Sequence, residues 1–290
     1  MNLLQIAKMG ARSLLRDLPL WMQFRLGLKT SADIDNAVTY AIQISEHCLN
    51  QLASHGIPLN GTRILEIGPG LDFAPQLVLA SQGAKVTLAD RFMSKWDPAY
   101  HPEFYRRFKA RWTGPSAAID EVIAAGGYSA HLINCLPEPA EALNSVSTAS
   151  CDVVFSTSVL EHVYDLPLVC RSLARVTRPG GLGLHSIDFR DHWNFDRPLD
   201  FLLFASDSYQ ARMTRGRVGR GNRLRPSEHL AQFREAGFRI DTVKPYAPPS
   251  KAYFDDFLPK LRASSSPYRD SPLDDLLPLG AMVTVVRETA

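Results

Sequence analysis

The segment RILEIGPGLD at residues 63–72, followed by VTLAD at 86–90, decides the fold of this chain. Its apolar run at 64–67 is typical of a buried strand, and Gly68 ends that run. Residues 73–81 carry apolar side chains at helical spacing, and the second segment forms another short apolar strand. The order of strand, glycine turn, helix and strand predicts a right-handed parallel βαβ unit.

The carboxyl end of this unit has the residues of a nucleoside site. Gly68 and Gly70 would lie where the first strand ends, and Asp90 would end the neighbouring strand, where its carboxylate can accept hydrogen bonds from a ribose. A dinucleotide fingerprint would need glycine or alanine where this chain has Phe73, which is too bulky for that close helix–strand packing. Glu66 is unfavourable beside a pyrophosphate and suits a cationic group, such as the amine of a methionine moiety.

A second block, residues 151–192, carries the same pattern further. Its predicted elements are a buried strand at 152–156, a helix from 159 to about 176, a Pro-Gly-Gly turn at 179–181 and a strand at 182–187. Together with the acid-x-Gly-x-Gly pattern at 66–72, this block resembles the class I S-adenosylmethionine-dependent methyltransferases, of the methyltransferase type 11/12-like group. In this chain Asp72 replaces the last glycine of the family's pattern.

The resemblance implies an α/β fold: a seven-stranded, mostly parallel, doubly wound sheet in which the final strand is inserted antiparallel. It also implies S-adenosyl-L-methionine as the cofactor. The residues that would bind it are Glu66, Gly68 and Gly70 at the methionine portion, Asp90 at the ribose with Arg91 next to it, Asn134 and Cys135 at the adenine, and Ser156 near the sulfonium.

The pattern predicts a methyltransferase domain at residues 59–290, after a helical extension at 1–58. Residues 1–29 form a basic amphipathic segment, which we expect to pack as a lid on its own domain or on a second copy in a homodimer. Two insertions, an aromatic one at 91–127 and an arginine-rich one at 188–225, would cover the substrate, because specificity in such folds comes from material outside the sheet.

Further elements are predicted outside the two blocks. They are a helix at 33–55, a third strand at 130–133, a helix at 227–237 capped by Ser227, a strand at 238–243, and a last strand at 282–287. The stretch at 247–279 is rich in Pro, Ser and Asp, and we expect Asp255, Asp256, Asp274 and Asp275 in it to be solvated.

Composition sets limits on the class of protein. A chain of 290 residues with 45% hydrophobic content can bury a sizeable core. The net charge of +2 gives no reason to expect a nucleic-acid or membrane partner, and the sequence has no apolar run that would span a bilayer. The four cysteines show no metal-binding spacing and are expected to be reduced, which predicts a cytoplasmic protein.

Methyl transfer to a hydroxyl needs a base near the sulfonium, at the ends of the fourth or fifth strand. We predict His192, beside Asp191, as this base, with His162 shaping the site. His185 and Asp188 are close to this pair in sequence. Because successive side chains of a strand point to opposite faces, these four residues need not meet at one ion, and we predict no metal.

The predicted acceptor is a small molecule, a glycan or a specialised metabolite that is methylated on oxygen. The acceptor could also carry an anionic group, a phosphate or a carboxylate. Arg223 and Arg225, next to the capped helix, would bind that anion, and Trp193 would line the pocket. Two alternatives remain: an RNA methyltransferase, or a non-catalytic methyltransferase-like partner subunit.

Overall fold

The computed structural model describes residues 31–209 and 221–289. The helices are α1 (Ser31–Ser54), α2 (Ala74–Ala80), α3 (His101–Arg111), α4 (Ala117–Ala125), α5 (Leu166–Val176), α6 (Ser206–Ser208), α7 (Pro226–Glu235), α8 (Lys251–Arg262) and α9 (Leu273–Leu276). The strands are β1 (Arg63–Ile67), β2 (Lys85–Ala89), β3 (Ile133–Leu136), β4 (Cys151–Thr157), β5 (Thr177–Asp188), β6 (Phe238–Tyr246) and β7 (Gly280–Arg287). The predictions for residues 1–29, as a lid or a dimer contact, and for the arginines at 210–220 lie outside the described residues.

The seven strands form one sheet in the order β3-β2-β1-β4-β5-β7-β6. Strand β4 pairs in parallel with β1 and β5, whereas β7 pairs antiparallel with both β5 and β6. The predicted seven-stranded α/β sheet with an antiparallel last strand is therefore confirmed. Parallel neighbours end at the same edge of a sheet, so β1, β4 and β5 present their carboxyl ends together.

The described chain forms two compact units. The first contains residues 31–62, 70–86 and 94–134, and the second contains 63–69, 87–93, 135–209 and 221–289. In the first unit α1 packs against α2 and α3.

Aromatic residues of the first insertion form the interior of the first unit. Trp96 stacks on His101 and Tyr105, with ring centroids 5.1 and 5.8 Å apart, and Tyr128 meets its edge. The Tyr105 hydroxyl donates a hydrogen bond to the backbone carbonyl of Asp72. These aromatics are core residues of their own unit, where apolar burial stabilises the fold.

The second unit has two apolar clusters. The larger one joins the buried faces of the strands to α5 and α7, with Val154, Leu173 and Phe233 at its centre. The smaller one packs the 199–209 segment against α8 and α9. Of the aspartates predicted to be solvated at 247–279, Asp255, Asp256 and Asp274 are exposed, whereas Asp275 is buried and accepts from Ser227, so the prediction is wrong for Asp275. Two residues of α8, Phe257 and Leu261, belong to the second cluster.

Three predicted elements differ from the structure. Strand β3 occupies 133–136 rather than 130–133. The predicted helix at 159–176 is broken after one turn at Leu160–His162, and α5 begins only at Leu166, because the Asp165 side chain caps it by accepting from the Leu168 N–H. Ser227 does not cap α7, which instead begins after Arg225; the Ser227 hydroxyl and N–H both donate to Asp275.

Asp152 joins the amino-terminal ends of three strands through two arginines. Its carboxylate accepts from the Arg63 N–H at 2.9 Å, from the Arg63 guanidinium at 3.0 Å and from Arg178 Nε at 2.6 Å. These donors hold the pKa of Asp152 well below its usual range, with the Arg63 side chain as the largest cause. A depressed carboxyl pKa contributes stability at neutral pH that is lost as the pH falls towards that pKa.

We therefore expect Asp152→Asn to lower the free energy of unfolding at pH 7 by about 1–2 kcal/mol, because charge-assisted hydrogen bonds are lost. The difference from wild type should shrink as the pH falls below about 4, where the unfolded carboxyl is protonated. Urea unfolding at several pH values would measure both effects. Asp241→Asn is the matched control, since its ion pair with Arg239 is on the surface; equal losses in the two variants would contradict the assignment.

Candidate functional site

The carboxyl ends of β1, β4 and β5 lie side by side within the second unit. Ile67 of β1 is opposite Ser156 of β4, and Ser156 is opposite His185 of β5. The turns that follow these three strands therefore begin at one edge of the sheet, where ligands bind in open α/β folds.

Gly68 makes the turn after β1 possible. Its backbone has φ of +65°, and its N–H donates to the Ala89 carbonyl at 2.9 Å. A Cβ atom at this position would lie only 2.4 Å from Cγ2 of Val159, in the turn after β4. Position 68 must therefore be glycine, both for its backbone conformation and for this close approach.

Gly70 and Phe73 belong to the first unit. Gly70 has φ of +80°, and a Cβ there would meet nothing within 4 Å. Phe73, at the N-cap of α2, is fully buried with its ring centroid 4.7 Å from that of Tyr128, and it has a left-handed backbone conformation. Phe73 therefore fills the space that a fingerprint glycine would leave open.

Glu66, Asp90 and Arg91 lie near this turn in the second unit. Glu66 is buried in β1, opposite Phe155. Oδ1 of Asp90 accepts from the Phe92 N–H at 2.7 Å, so the carboxylate is fixed just beyond β2. Arg91 is exposed, with its guanidinium 5.4 Å from the centroid of the Tyr164 ring.

Asn134 and Cys135 lie within β3 rather than after it, because the strand is three residues later than predicted. Asn134 is exposed and Cys135 is half-buried, and burial raises the pKa of the Cys135 thiol.

Ser156 uses its side chain within the core. Its hydroxyl is hydrogen-bonded to Nδ1 of His185 at 2.7 Å, and the His185 ring stacks on Phe233. Burial lowers the pKa of His185 to about 3, so this histidine is neutral at pH 7. His185 is therefore a core residue and not a base.

A cluster of ionisable side chains lies just beyond β4 and β5. We call Glu161, His162 and His192 the carboxylate–histidine cluster. Nε2 of His162 is 3.0 Å from Nδ1 of His192, and Nε2 of His192 is 3.9 Å from Oε1 of Glu161. One ligand atom from each of the three residues lies within 4.8 Å of the other two.

Glu161 is the most unusual member of this cluster. It is 3% exposed, and neither carboxylate oxygen makes a hydrogen bond to the described residues. Burial raises the pKa of Glu161 to about 8, although the backbone N–H groups of Glu161 itself and of Asp188 partly oppose this. A carboxylate left without donors in the interior is costly unless a cation or a proton accompanies it.

Asp191, predicted with His192 as a catalytic residue, is buried, and its Oδ1 accepts from the Trp193 N–H at 3.0 Å. Oδ2 of Asp188 lies 3.5 Å from Nε2 of His192. Asp188 is itself held by Arg190, whose Nε and Nη2 donate to it at 2.9 and 2.5 Å.

Arg225 does not bind the acceptor, contrary to prediction. Its side chain is fully buried, and its guanidinium donates to the backbone carbonyls of Phe189, Asp275, Leu276 and Pro278 at 2.7–3.1 Å. Burial lowers the pKa of Arg225 to about 10, which leaves it charged at pH 7. It joins the start of α7 to the segment before β7.

Arg223 has a similar structural role. It is 7% exposed, donates to the carbonyls of Phe201 and Phe204, and lies with its guanidinium carbon 3.9 Å from the centroid of the Tyr209 ring. The prediction of an anion clamp is therefore wrong for both arginines. Trp193 is 42% exposed and stays a candidate for acceptor contact.

Sequence reasoning named His162 and His192 but not Glu161. The signal was present, because Glu161 directly precedes His162 in the Leu-Glu-His run of the resemblance. What the sequence could not show is that the turn after β4 buries this carboxylate without a donor.

A family model described as a methyltransferase domain matches residues 111–184. The match covers β3, β4 and the first part of β5 but not the glycine turn or Asp90. No curated protein matches the chain in sequence.

Solved structures resemble the whole fold. A candidate sarcosine dimethylglycine methyltransferase from Galdieria sulphuraria is 14% identical, with 85% of this chain and 86% of that chain covered and a TM-score of 0.50. An S-adenosylmethionine-dependent methyltransferase from Mesorhizobium loti is 19% identical, with 79% and 93% covered and a TM-score of 0.45. A third, from Methanosarcina mazei, is 16% identical, with 80% and 94% covered and a TM-score of 0.47.

Residues 111–184 thus match a methyltransferase domain, and the sheet has the fold of the class I methyltransferases. None of the described helices has the length and apolar character needed to cross a membrane.

Arg225→Ala should act on stability rather than on acceptor affinity. Removing the guanidinium leaves several buried carbonyls without their donor, and we expect a loss of about 3–5 kcal/mol in the free energy of unfolding. Thermal and urea unfolding would measure it, with Arg239→Ala as the exposed control. A variant of wild-type stability with a raised KM for the acceptor would restore the anion-clamp hypothesis.

Proposed function

We propose that this methyltransferase transfers the methyl group to a hydroxyl oxygen of a small molecule, a glycan or specialised metabolite. The observation that supports this is the carboxylate–histidine cluster at the ends of β4 and β5. A hydroxyl must lose its proton when it is methylated, whereas a neutral amine can be methylated without a strong base. The imidazoles of this cluster would take up that proton, or they would bind a group that acidifies the hydroxyl.

We propose that the cofactor lies over the glycine turn at the carboxyl edge of the sheet. Glu66, Gly68 and Gly70 would surround its methionine portion, and Asp90 would accept hydrogen bonds from the ribose, with Arg91 beside it. The fixed Asp90 carboxylate supports the placement of the ribose. Asn134 and Cys135 would contact the adenine, and Ser156 would lie near the sulfonium as part of the backbone edge, since its hydroxyl is bound to His185.

The acceptor would enter beside the cluster. A small cavity there is lined by Glu161, Asp188, Arg190, Asn222 and Arg223, among others. Because Arg190 and Arg223 already bind carboxylate and carbonyl oxygens, the lining gives little support for an anionic acceptor. Trp193, exposed nearby in sequence, is proposed as an apolar contact. The cytoplasmic location stays a prediction. The two alternative functions, methylation of RNA and a non-catalytic role as a partner subunit, stay predictions as well.

Asp90→Ala should weaken cofactor binding, because it removes the acceptor for the ribose hydroxyls. A loss of about 1.5–3 kcal/mol corresponds to a Kd about 10- to 150-fold higher. Isothermal titration with S-adenosylmethionine would measure it. Asp196→Ala, at an exposed position of the second unit, is the control and should leave the Kd unchanged. An unchanged Kd in Asp90→Ala would show that the ribose is bound elsewhere.

His192→Gln tests the proposed reaction. The glutamine keeps a polar side chain but cannot act as a base near pH 7, so we expect kcat for a hydroxyl acceptor to fall about 100-fold or more. The Kd of S-adenosylmethionine should stay within about twofold of wild type.

The assay would measure S-adenosylhomocysteine release with a panel of hydroxyl- and amine-bearing compounds. His131→Gln, an exposed histidine of the first unit, is the control. Turnover of amines alone, or equal activity of His192→Gln and wild type on hydroxyls, would contradict O-methylation through this cluster.

A further inference from the structure

We propose that the carboxylate–histidine cluster of Glu161, His162 and His192 is a binding site for a divalent first-row transition metal ion. Their three ligand atoms lie within 4.8 Å of one another, and all three residues belong to the turns after β4 and β5. The side chains come from two distant parts of the chain that the parallel strands bring to one edge.

The spacing of the two imidazoles fits a shared ion. Metal–nitrogen bonds of about 2.1 Å at tetrahedral or octahedral angles place neighbouring ligand atoms about 3.0–3.4 Å apart. Nε2 of His162 and Nδ1 of His192 are 3.0 Å apart. The distance thus matches a shared ion, which would replace the hydrogen bond between the two nitrogens after the rings turn towards it.

Glu161 provides the second, independent observation. Its two carboxylate oxygens are buried and make no hydrogen bond to any described residue. Arg190 of the lining is already bound to Asp188 through two nitrogens, and it offsets the charge of Glu161 only in part. A bound cation would supply the missing charge partner and repay part of the cost of burying the carboxylate.

Asp188 is placed to orient the His192 ring, one of the proposed metal ligands. When Nδ1 of a histidine binds an ion, the other ring nitrogen carries a proton and usually donates it to a carboxylate. Nε2 of His192 lies 3.5 Å from Oδ2 of Asp188 without a hydrogen bond, and Arg190 fixes Asp188. When Nδ1 exchanges its contact with His162 for the ion, Nε2–H would donate to Asp188 and hold the ring in that tautomer.

The ligand set decides which ions fit. Two imidazoles and one carboxylate favour Zn²⁺, Mn²⁺, Fe²⁺ or Co²⁺, whereas Mg²⁺ and Ca²⁺ prefer a full set of oxygen ligands. Three protein ligands leave room for a further one, and Glu161 and Asp188 line the small cavity. If the proposed O-methylation is correct, that position would take the acceptor hydroxyl, whose pKa the ion would lower.

The sequence predicted no metal, because the four residues considered as ligands were not expected to meet. These residues were His185, Asp188, Asp191 and His192, and only His192 belongs to the cluster. His185 is bonded to Ser156, and Asp191 holds the turn at Trp193. The competing explanation is a protonated Glu161 beside two hydrogen-bonded imidazoles, with no ion at all.

The experiment measures ion binding by the full chain without an acceptor, so its outcome does not depend on the proposed reaction. The protein is stripped with a chelator and titrated with Zn²⁺, Mn²⁺ and Mg²⁺ by calorimetry. Bound metal is then counted after dialysis. We expect one Zn²⁺ or Mn²⁺ per chain, much weaker binding of Mg²⁺, and visible ligand-field bands when Co²⁺ occupies the site.

Glu161→Gln, which keeps the shape of the side chain, and His192→Gln should each raise the Kd for the preferred ion at least 100-fold. Asp188→Asn should raise it about 10- to 100-fold, because it removes only the orienting carboxylate. His131→Gln should leave it unchanged and controls for surface histidines. Melting temperatures show whether each variant is folded, and the Co²⁺ spectrum of the wild type is a second measurement that needs no variant. Absence of saturable binding, or equal binding by wild type, Glu161→Gln and His192→Gln, would overturn the proposal.

Discussion

The bare backbone at Gly68 is the constraint on which the site depends. With φ of +65° and no side chain, this residue lets Val159 approach to a distance at which a Cβ atom would clash. The turn after β4 can therefore close on the turn after β1, and it has its own left-handed residue at Ser158. Glu161 and His162 owe their burial and position to that closure, because they immediately follow the segment that packs there.

The pattern of neighbouring residues was enough to predict the elements that depend on nearby sequence alone. The strands β1, β2 and β4 and the glycine turn follow from apolar runs and their punctuation, whereas the topology of the sheet was implied by the family resemblance. The break before α5 was missed although the sequence carries its signal, an N-cap Asp165 followed by Pro167 in the first turn. The shift of β3 by three residues is an error of the same kind, at an element boundary.

The roles of the arginines could not be predicted, because they depend on contacts between residues far apart in sequence. Arg225 binds carbonyls some 50 residues later and Arg223 binds carbonyls some 20 residues earlier. An arginine-rich, glycine-containing segment is more often solvent-exposed, so the sequence favoured an anion clamp. The second apolar cluster explains the outcome: once residues 199–209 and α8 are packed together, these arginines satisfy the carbonyls around them.

The same contacts determine the electrostatic character of the cavity beside β4 and β5. Arg190 is bound to Asp188, and Arg223 interacts with carbonyls and the Tyr209 ring, so the arginines of the cavity offset Glu161 only weakly. Because burial raises the pKa of Glu161 to about 8, this carboxyl is mostly protonated at pH 7 when no cation accompanies it. The net charge of the cavity therefore depends on whether a proton or a cation is bound at Glu161.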